Sequence, residues 1–467
     1  MTMYLSLNSV IIILQAISNN IIPDHNANVY ISPVDPTLRQ TYADVVVDKL
    51  LGGMKRWDAQ YFIHIAQYGY TYENCLAFYP LFPMIVRYFA YGLCSLFGSL
   101  LNFHSTLLIS ATIMNLLMFI KSADILHRLS LRILRSECKA YKSAILYCVN
   151  PASIFFTAPY SETLFALMTF YTMLKCTENE TLRFANIDIT SGLPLGFSMI
   201  TRSNGIVNIG FILYTSFKNV IERTFVALFL SVVIALFPFL LVQVYNYVKY
   251  CIYNDHNLPE FLSNSEYVLP GSAESPWCNY SLPLSYSYIQ SHYWDVGFFK
   301  YYQLKQIPNF ILAFPILFLI LYNSIIKQYS KGFGANDPIL FVYVIHIMCL
   351  TVFCIMFVHI QVSTRLLASA SPILYWMSST RMNLSPTPTS DQNTINEHFR
   401  RLGIGKRIPA HHLSIANLEG IDNMYSKWKT FIISRRMPDF QSRLLQYYYL
   451  GYFVIGTICF SNFYPWT

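Results

Sequence analysis

The sequence predicts an all-α protein that crosses a membrane many times, and three observations carry that expectation. Of its 467 residues, 54% are hydrophobic, and mean hydropathy is +0.38. Only 12% are charged, against about 25% in soluble domains. Apolar stretches of about 20 residues, the length a bilayer core demands, recur along the chain between polar segments. Aromatics reach 16%, with 36 Tyr and 35 Phe, which fits helix ends in interfacial belts and equally a groove for a long apolar ligand. The net charge of +8 is spread between apolar spans, pointing to cytoplasmic loops and not to nucleic acid. Ten Cys are scattered without CxxC or Cys/His spacing, so no zinc site is expected.

Taken in order, residues 1–22 are mostly apolar but lack a basic leader and an A-x-A site, which reads as a retained span rather than a cleaved signal. A large polar loop, 23–82, follows. Within it Tyr42–Leu51 sets Val45, Val46, Leu50 and Leu51 against Asp44, Asp48 and Lys49, the pattern of a helix lying flat in the interface. Gly52–Gly53 ends it, and Asp58 opens a second short helix through Tyr68. Spans are expected near 83–101, 105–126, 141–158, 225–249, 308–326, 338–358, 362–378 and 445–463. Between 159 and 217, Pro159, Pro194, Arg202 and Gly205 interrupt short apolar pieces, suggesting broken helices around a cavity.

The basic run His127–Lys142 favours the cytoplasm, which conflicts with simple alternation and leaves the expected crossings at eight to eleven. A second polar loop, 250–306, holds the sequon at Asn279, with others at Asn179 and Asn383, and reads as lumenal. Cys75, Cys251 and Cys278 lie in the expected lumenal stretches and are candidates for pairing. Residues 379–444 carry ten Lys/Arg against five Asp/Glu and read as a basic cytoplasmic loop. The whole is expected to form one multi-span membrane domain.

Several blocks in this chain resemble one family: RWDAQYFIHIAQYGYTYENCLAFYPLFP, NPASIFFTAPYSETLFALMTF, ITRSNGIVNIGF, SPWC, YSYIQSHYWDVGFFKYYQLKQIPNF, HIQVSTRLLASASPILYW and the closing NFYPWT. In this order they are similar to the PIG-V family of GPI mannosyltransferases, over nearly the whole chain. The resemblance implies a GT-C type bundle in the endoplasmic reticulum membrane with a lumenal active site. It implies transfer of the second, α1,6-linked mannose of the GPI anchor from dolichol-phosphate-mannose to a mannosyl-glucosaminyl-phosphatidylinositol lipid. The family's Trp-Asp pair falls on Trp57 and Asp58. Many GT-C enzymes carry D-x-D or paired acids here; Ala59 and Gln60 follow Asp58 instead, so no metal and no cofactor are expected. Expected partners are the two lipid substrates and the membrane, with room for a small accessory membrane subunit.

Inverting transfer needs a base at the attacking hydroxyl, and Asp58 is the first candidate, although an Asp there also reads as the N-cap of Ala59–Tyr68. Asp24, Glu73 and Glu162 are the reserve acids; Glu162 suits sugar binding and helix capping equally. The departing phosphate needs cations, and Arg365 and Arg202 sit in apolar sequence where an unpaired guanidinium is expensive. Gln361 joins them as a phosphate contact, with Lys305 and His292 as weaker options. Trp57, Trp277 and Trp294 could stack on sugar faces or simply anchor at the interface. His25 and His64 carry modest weight. A transporter would place ionisable groups at span centres and repeat its halves; here the acids cluster at span ends and no repeat is evident.

Overall fold

The structure is a computed structural model that describes residues 2–181, 191–218, 222–252, 258–263, 267–271, 275–327, 338–382, 431–432 and 439–466. Among these residues all regular structure is helical. Helix α1 (Thr2–Ile21) leads to the polar loop, which carries α2 (Tyr42–Leu51) and α3 (Ala59–Tyr68). Then come α4 (Leu81–Phe97), α5 (Phe103–Leu134), α6 (Glu137–Cys148), α7 (Glu162–Thr181), α8 (Gly192–Met199), α9 (Ile209–Lys218) and α10 (Glu222–Tyr247). The second polar loop holds α11 (Glu260–Ser263) and α12 (Ser285–Trp294). Helices α13 (Ile307–Leu321), α14 (Pro338–Met356), α15 (Ser363–Ala370), α16 (Ile373–Arg381) and α17 (Phe440–Ser461) complete the bundle.

Five stretches of the described residues are long and apolar enough to cross a membrane: 103–134, 228–252, 304–325, 339–356 and 440–461. Shorter apolar helices run over 5–21, 81–96 and 203–214. Helix α5 is the central strut, packed along α4, α6 and α7. Helix α10 rests on α8 at the rim and turns Phe229, Val233, Phe237, Leu240 and Val244 outward, an apolar face that suits lipid. Helix α17 pairs with α1, joining the two ends of the chain.

The helix starts follow local chemistry. Thr41 and Asp44 form a capping box on α2, and Asn102 and Asp439 cap α5 and α17 through their side chains. In α2 the apolar Val45, Val46 and Leu50 point outward, while Asp44 is buried and accepts from the Asn102 amide at 3.0 Å. Asp48 and Lys49 are exposed on the same helix, so its outward surface mixes apolar and charged side chains, as at a membrane interface.

Two expected spans are broken. The apolar window 141–158 holds α6 only to Cys148; Asn150 then folds its side chain back to accept from the Ala152 amide at 2.8 Å, and Pro151 disfavours helix in the residue before it. The window 362–378 splits into α15 and α16 at Ser371–Pro372 for the same reason. The run His127–Lys142 continues α5 to Leu134, where Arg135 takes a left-handed φ of 49° and ends it. Most of the basic 379–444 segment, with Asn383, lies outside the described residues, as does the side chain of Asn179. Asn279 is exposed.

A second core, apart from the bundle's, knits the two polar loops together. Tyr30, Tyr61, Tyr72, Tyr250 and Trp277 are buried in it. Cys251 and Cys278 form a disulfide at its edge, while Cys75 is buried and free.

Candidate active site

A cavity of about 710 Å3 opens where the polar loops meet the bundle. Its floor is built on the turn before α3. Arg56 is tied down by Asp24 at 2.9 Å, the Asn19 side chain at 2.6 Å and the Ser461 carbonyl at 3.1 Å, with its guanidinium 4.6 Å above the Phe463 ring. Trp57 follows in the left-handed region at φ 55°, a conformation that costs a bulky residue about 1–2 kcal/mol. The Tyr160 hydroxyl holds that turn from both sides, accepting from the Asp58 amide at 3.0 Å and donating to the Arg56 carbonyl at 3.2 Å. Tyr160 is in turn placed by Asn115 of α5, which donates to the Ala158 and Tyr160 carbonyls.

Asp58 precedes α3 but makes no side-chain cap. Its carboxylate instead meets Arg365, with Oδ2 and Nη2 2.7 Å apart. The other arm of Arg365, Nη1, lies 3.5 Å from Glu162 Oε1, and that oxygen also pairs with Arg202. The result is a chain of alternating charges, Asp58, Arg365, Glu162 and Arg202. Glu162 is fully buried at the first position of α7, while the Asp58 side chain remains 27% exposed. The Arg365 guanidinium also lies 5.3 Å from the Phe155 ring centre and 5.4 Å from that of Tyr160, so aromatic faces share in offsetting its desolvation. Every charge in the row has an opposite neighbour, which burial demands.

Of the residues singled out in the sequence, Asp58, Arg365, Arg202, Gln361, Trp57 and Trp294 line the cavity. Glu162 stands just behind, touching both arginines. Four expected substrate contacts lie elsewhere. Asp24 is consumed by Arg56. His25 donates its amide to the Asn462 carbonyl and stacks its ring on Tyr464. Lys305 is exposed away from the cavity. Trp277 is fully buried, its indole N–H donated to Glu73 at 2.8 Å. Glu73 also accepts from Tyr293 at 2.8 Å and from Ser275, so it welds the loops together and meets no cation among the described residues. His64 is sealed between Ser32 at 2.8 Å and Thr71 at 2.6 Å, and burial pushes its pKa down to about 3. His292 stacks on Tyr288.

Residues the sequence reading did not select also line the cavity, among them Tyr160, Asn74 and Asn204. Tyr160 lies two residues before Glu162 in NPASIFFTAPYSETLFALMTF, and that proximity is the signal the sequence holds for it.

The helical bundle and its outward apolar faces define an integral membrane protein. The model of the mannosyltransferase family PIG-V matches residues 1–467, and the chain belongs to that family of glycosyltransferases. It is 33% identical to GPI mannosyltransferase 2 of Drosophila pseudoobscura pseudoobscura, over 98% of this chain and 97% of that one. It is 34% identical to GPI alpha-1,6-mannosyltransferase 2 of Homo sapiens, over 98% and 96% respectively. Among solved structures it is similar to ArnT from Cupriavidus metallidurans bound to undecaprenyl phosphate, with 12% identity and a TM-score of 0.47 over 98% of this chain and 76% of that chain.

Proposed function

We propose that this chain transfers the second, α1,6-linked mannose of the GPI anchor from dolichol-phosphate-mannose to a mannosyl-glucosaminyl-phosphatidylinositol lipid, with inversion. The observation that carries the reading is Asp58 on the cavity wall of a PIG-V family chain, 2.7 Å from Arg365. The acceptor hydroxyl oxygen attacks the anomeric carbon of mannose while Asp58 takes its proton. The bond from that carbon to the phosphate oxygen breaks, and its electron pair leaves with dolichyl phosphate. Arg365 receives the phosphate with the arm now 3.5 Å from Glu162, and Arg202, which also lines the cavity, is the second cation. A planar guanidinium can grip two phosphate oxygens at once. Gln361, held by the Tyr301 hydroxyl at 3.1 Å, adds a polar contact.

On this reading the enzyme resides in the endoplasmic reticulum, in a GT-C type architecture, with the polar loops and the cavity on the lumenal side. A small accessory membrane subunit completes the proposal only if it co-purifies with the intact chain. No metal takes part in the proposed step, and added chelator is expected to leave transfer unchanged in a microsomal assay.

The deciding experiment is Asp58→Asn expressed in cells lacking the native enzyme. A positioned general base contributes about 10²–10⁴-fold, so transfer should fall by about that factor at unchanged expression, and a one-mannose GPI intermediate should accumulate. Unchanged transfer would falsify the role of Asp58; accumulation of a different intermediate would overturn the acceptor stage.

A further inference from the structure

The cavity holds polar atoms that the proton transfer and the phosphate contact leave unused. Asn74 is 1% exposed and Asn204 9% exposed, yet both line the cavity. Asn74 donates its side-chain nitrogen to the Tyr61 hydroxyl at 3.4 Å, which leaves its carbonyl oxygen without a partner among the described residues. The Asn204 side-chain nitrogen is likewise buried and unpaired. A buried amide group left without a hydrogen bond is costly.

Both amides are held stiffly. Asn74 sits next to Glu73, whose amide donates to the Val268 carbonyl at 3.0 Å and whose carboxylate collects three donors. Asn204 precedes Gly205, where a Cβ would fall 2.6 Å from the Ser198 backbone, so this turn lies directly on α8. Asn208 closes the same turn by donating to Thr169 at 3.0 Å and Ser198 at 3.2 Å. Two amides are thus fixed with the Asn74 oxygen and the Asn204 nitrogen unpaired. A phosphate offers acceptors only and leaves Asn74 unmatched; a polyprenyl chain matches neither. A pyranose hydroxyl both donates and accepts.

We infer that Asn74 and Asn204 are specificity-determining residues that read hydroxyl groups of the sugar in the cavity. Asn74 accepts from a hydroxyl through its side-chain oxygen, and Asn204 donates to one through its side-chain nitrogen. This rests on the reading of the site as a sugar-transfer centre and adds the contacts that choose the sugar. The hydroxyls belong to the donor mannose or to the sugar of the acceptor.

The test uses the full-length protein in membranes with polyprenyl-phosphate-mannose, a mannosyl-glucosaminyl lipid acceptor, and singly deoxygenated versions of each. Sites built around a substrate hydroxyl lose much of their rate when it is absent. Asn204→Asp keeps the shape but turns a donor into an acceptor, and Asn74→Leu removes the acceptor; each should lower kcat/KM for the intact pair about 10–100-fold, the cost of leaving one buried hydrogen-bonding group unpaired. On the analogue lacking the matched hydroxyl, the same variants should cost less than about 3-fold, because coupled partners are not additive. Recovery on a donor analogue assigns the contact to mannose, and recovery on an acceptor analogue assigns it to the acceptor sugar. Equal losses on every analogue, or no loss at all, overturn the inference.

A second readout separates this inference from the proposed function. Stabilisation of the protein against heat by polyprenyl-phosphate-mannose, or by the acceptor lipid, should weaken when the matched hydroxyl is missing. If the wild type shows that sensitivity, Asn74→Leu or Asn204→Asp abolishes it, and no mannose is transferred, the function is wrong and the contacts stand. If neither lipid's hydroxyls alter wild-type stability, the contacts are wrong.

Discussion

Glu162 and Glu73 are both buried carboxylates, and the difference in their surroundings separates the working part of this molecule from its frame. Glu162 is flanked by two guanidiniums, with one oxygen unpaired, directly behind an open cavity. Glu73 receives three neutral donors from Ser275, Trp277 and Tyr293 at the aromatic core between the polar loops, and of these three only Tyr293 reaches the cavity wall. A charge held by charges can exchange partners when an anionic substrate arrives; one held by neutral donors has nothing to exchange. The residue type says little, and the company it keeps says which role it can have.

The largest effect expected from breaking this contrast is at Glu162. Glu162→Ala leaves two arginines without their shared counter-charge, and breaking a buried pair costs about 3–5 kcal/mol. Thermal unfolding in detergent should show that loss together with a collapse of transfer; a stable, active variant would contradict the charge row. Arg365→Lys should spare the fold but raise the KM for the donor about tenfold, because a point charge replaces a fork. Donor titrations at saturating acceptor test it.

At Glu73 the outcome should be the reverse. Glu73→Gln disturbs three hydrogen bonds at a cost of about 1–3 kcal/mol, while transfer per folded molecule stays within about 2-fold. A selective loss of rate in the properly folded fraction would move Glu73 into the working part. Tyr160→Phe removes the hydroxyl that spans Arg56 and Asp58 but keeps the ring beneath Arg365. It should lower kcat about tenfold with donor KM little changed, the signature of lost transition-state alignment.

The smallest effect at neutral pH is at His64. Its folded pKa, about 3, lies below the unbound value of 6.5, so the unfolded chain takes up the proton first as pH falls. Stability is full above about 6.5, declines as pH drops below it, and declines no further from this group under about 3. His64→Gln should flatten that slope in melting temperatures recorded between pH 7 and pH 4; an unchanged slope would show that another group controls it.

The local elements were readable directly. Helices over Tyr42–Leu51 and Ala59–Tyr68 follow from apolar spacing, the Gly52–Gly53 stop and Asp58 ahead of the second, all within a few residues, although Asp58 makes no side-chain cap. The breaks after Cys148 and at Ser371–Pro372 also had local causes, in Pro151 and Pro372, but hydropathy over a 20-residue window averages a proline away. Asp58, Arg202 and Arg365 drew attention because charge in apolar sequence is expensive. That Asp58 and Arg365 touch was hidden, since 307 residues separate them. Asn74 and Asn204 carry no such cost in sequence, and neutral amides show their meaning only when burial leaves an atom unpaired. Trp277 illustrates the opposite case: an aromatic that suits a sugar platform is taken out of play by a buried acid.

The anchoring of Arg56 has a consequence for the far end of the chain. Ser461 and Phe463, just past the core of α17, grip the same guanidinium that precedes the left-handed Trp57. The closing segment is therefore a buttress for a site assembled some four hundred positions earlier. Trimming it should blunt the enzyme even though none of its described residues lines the cavity.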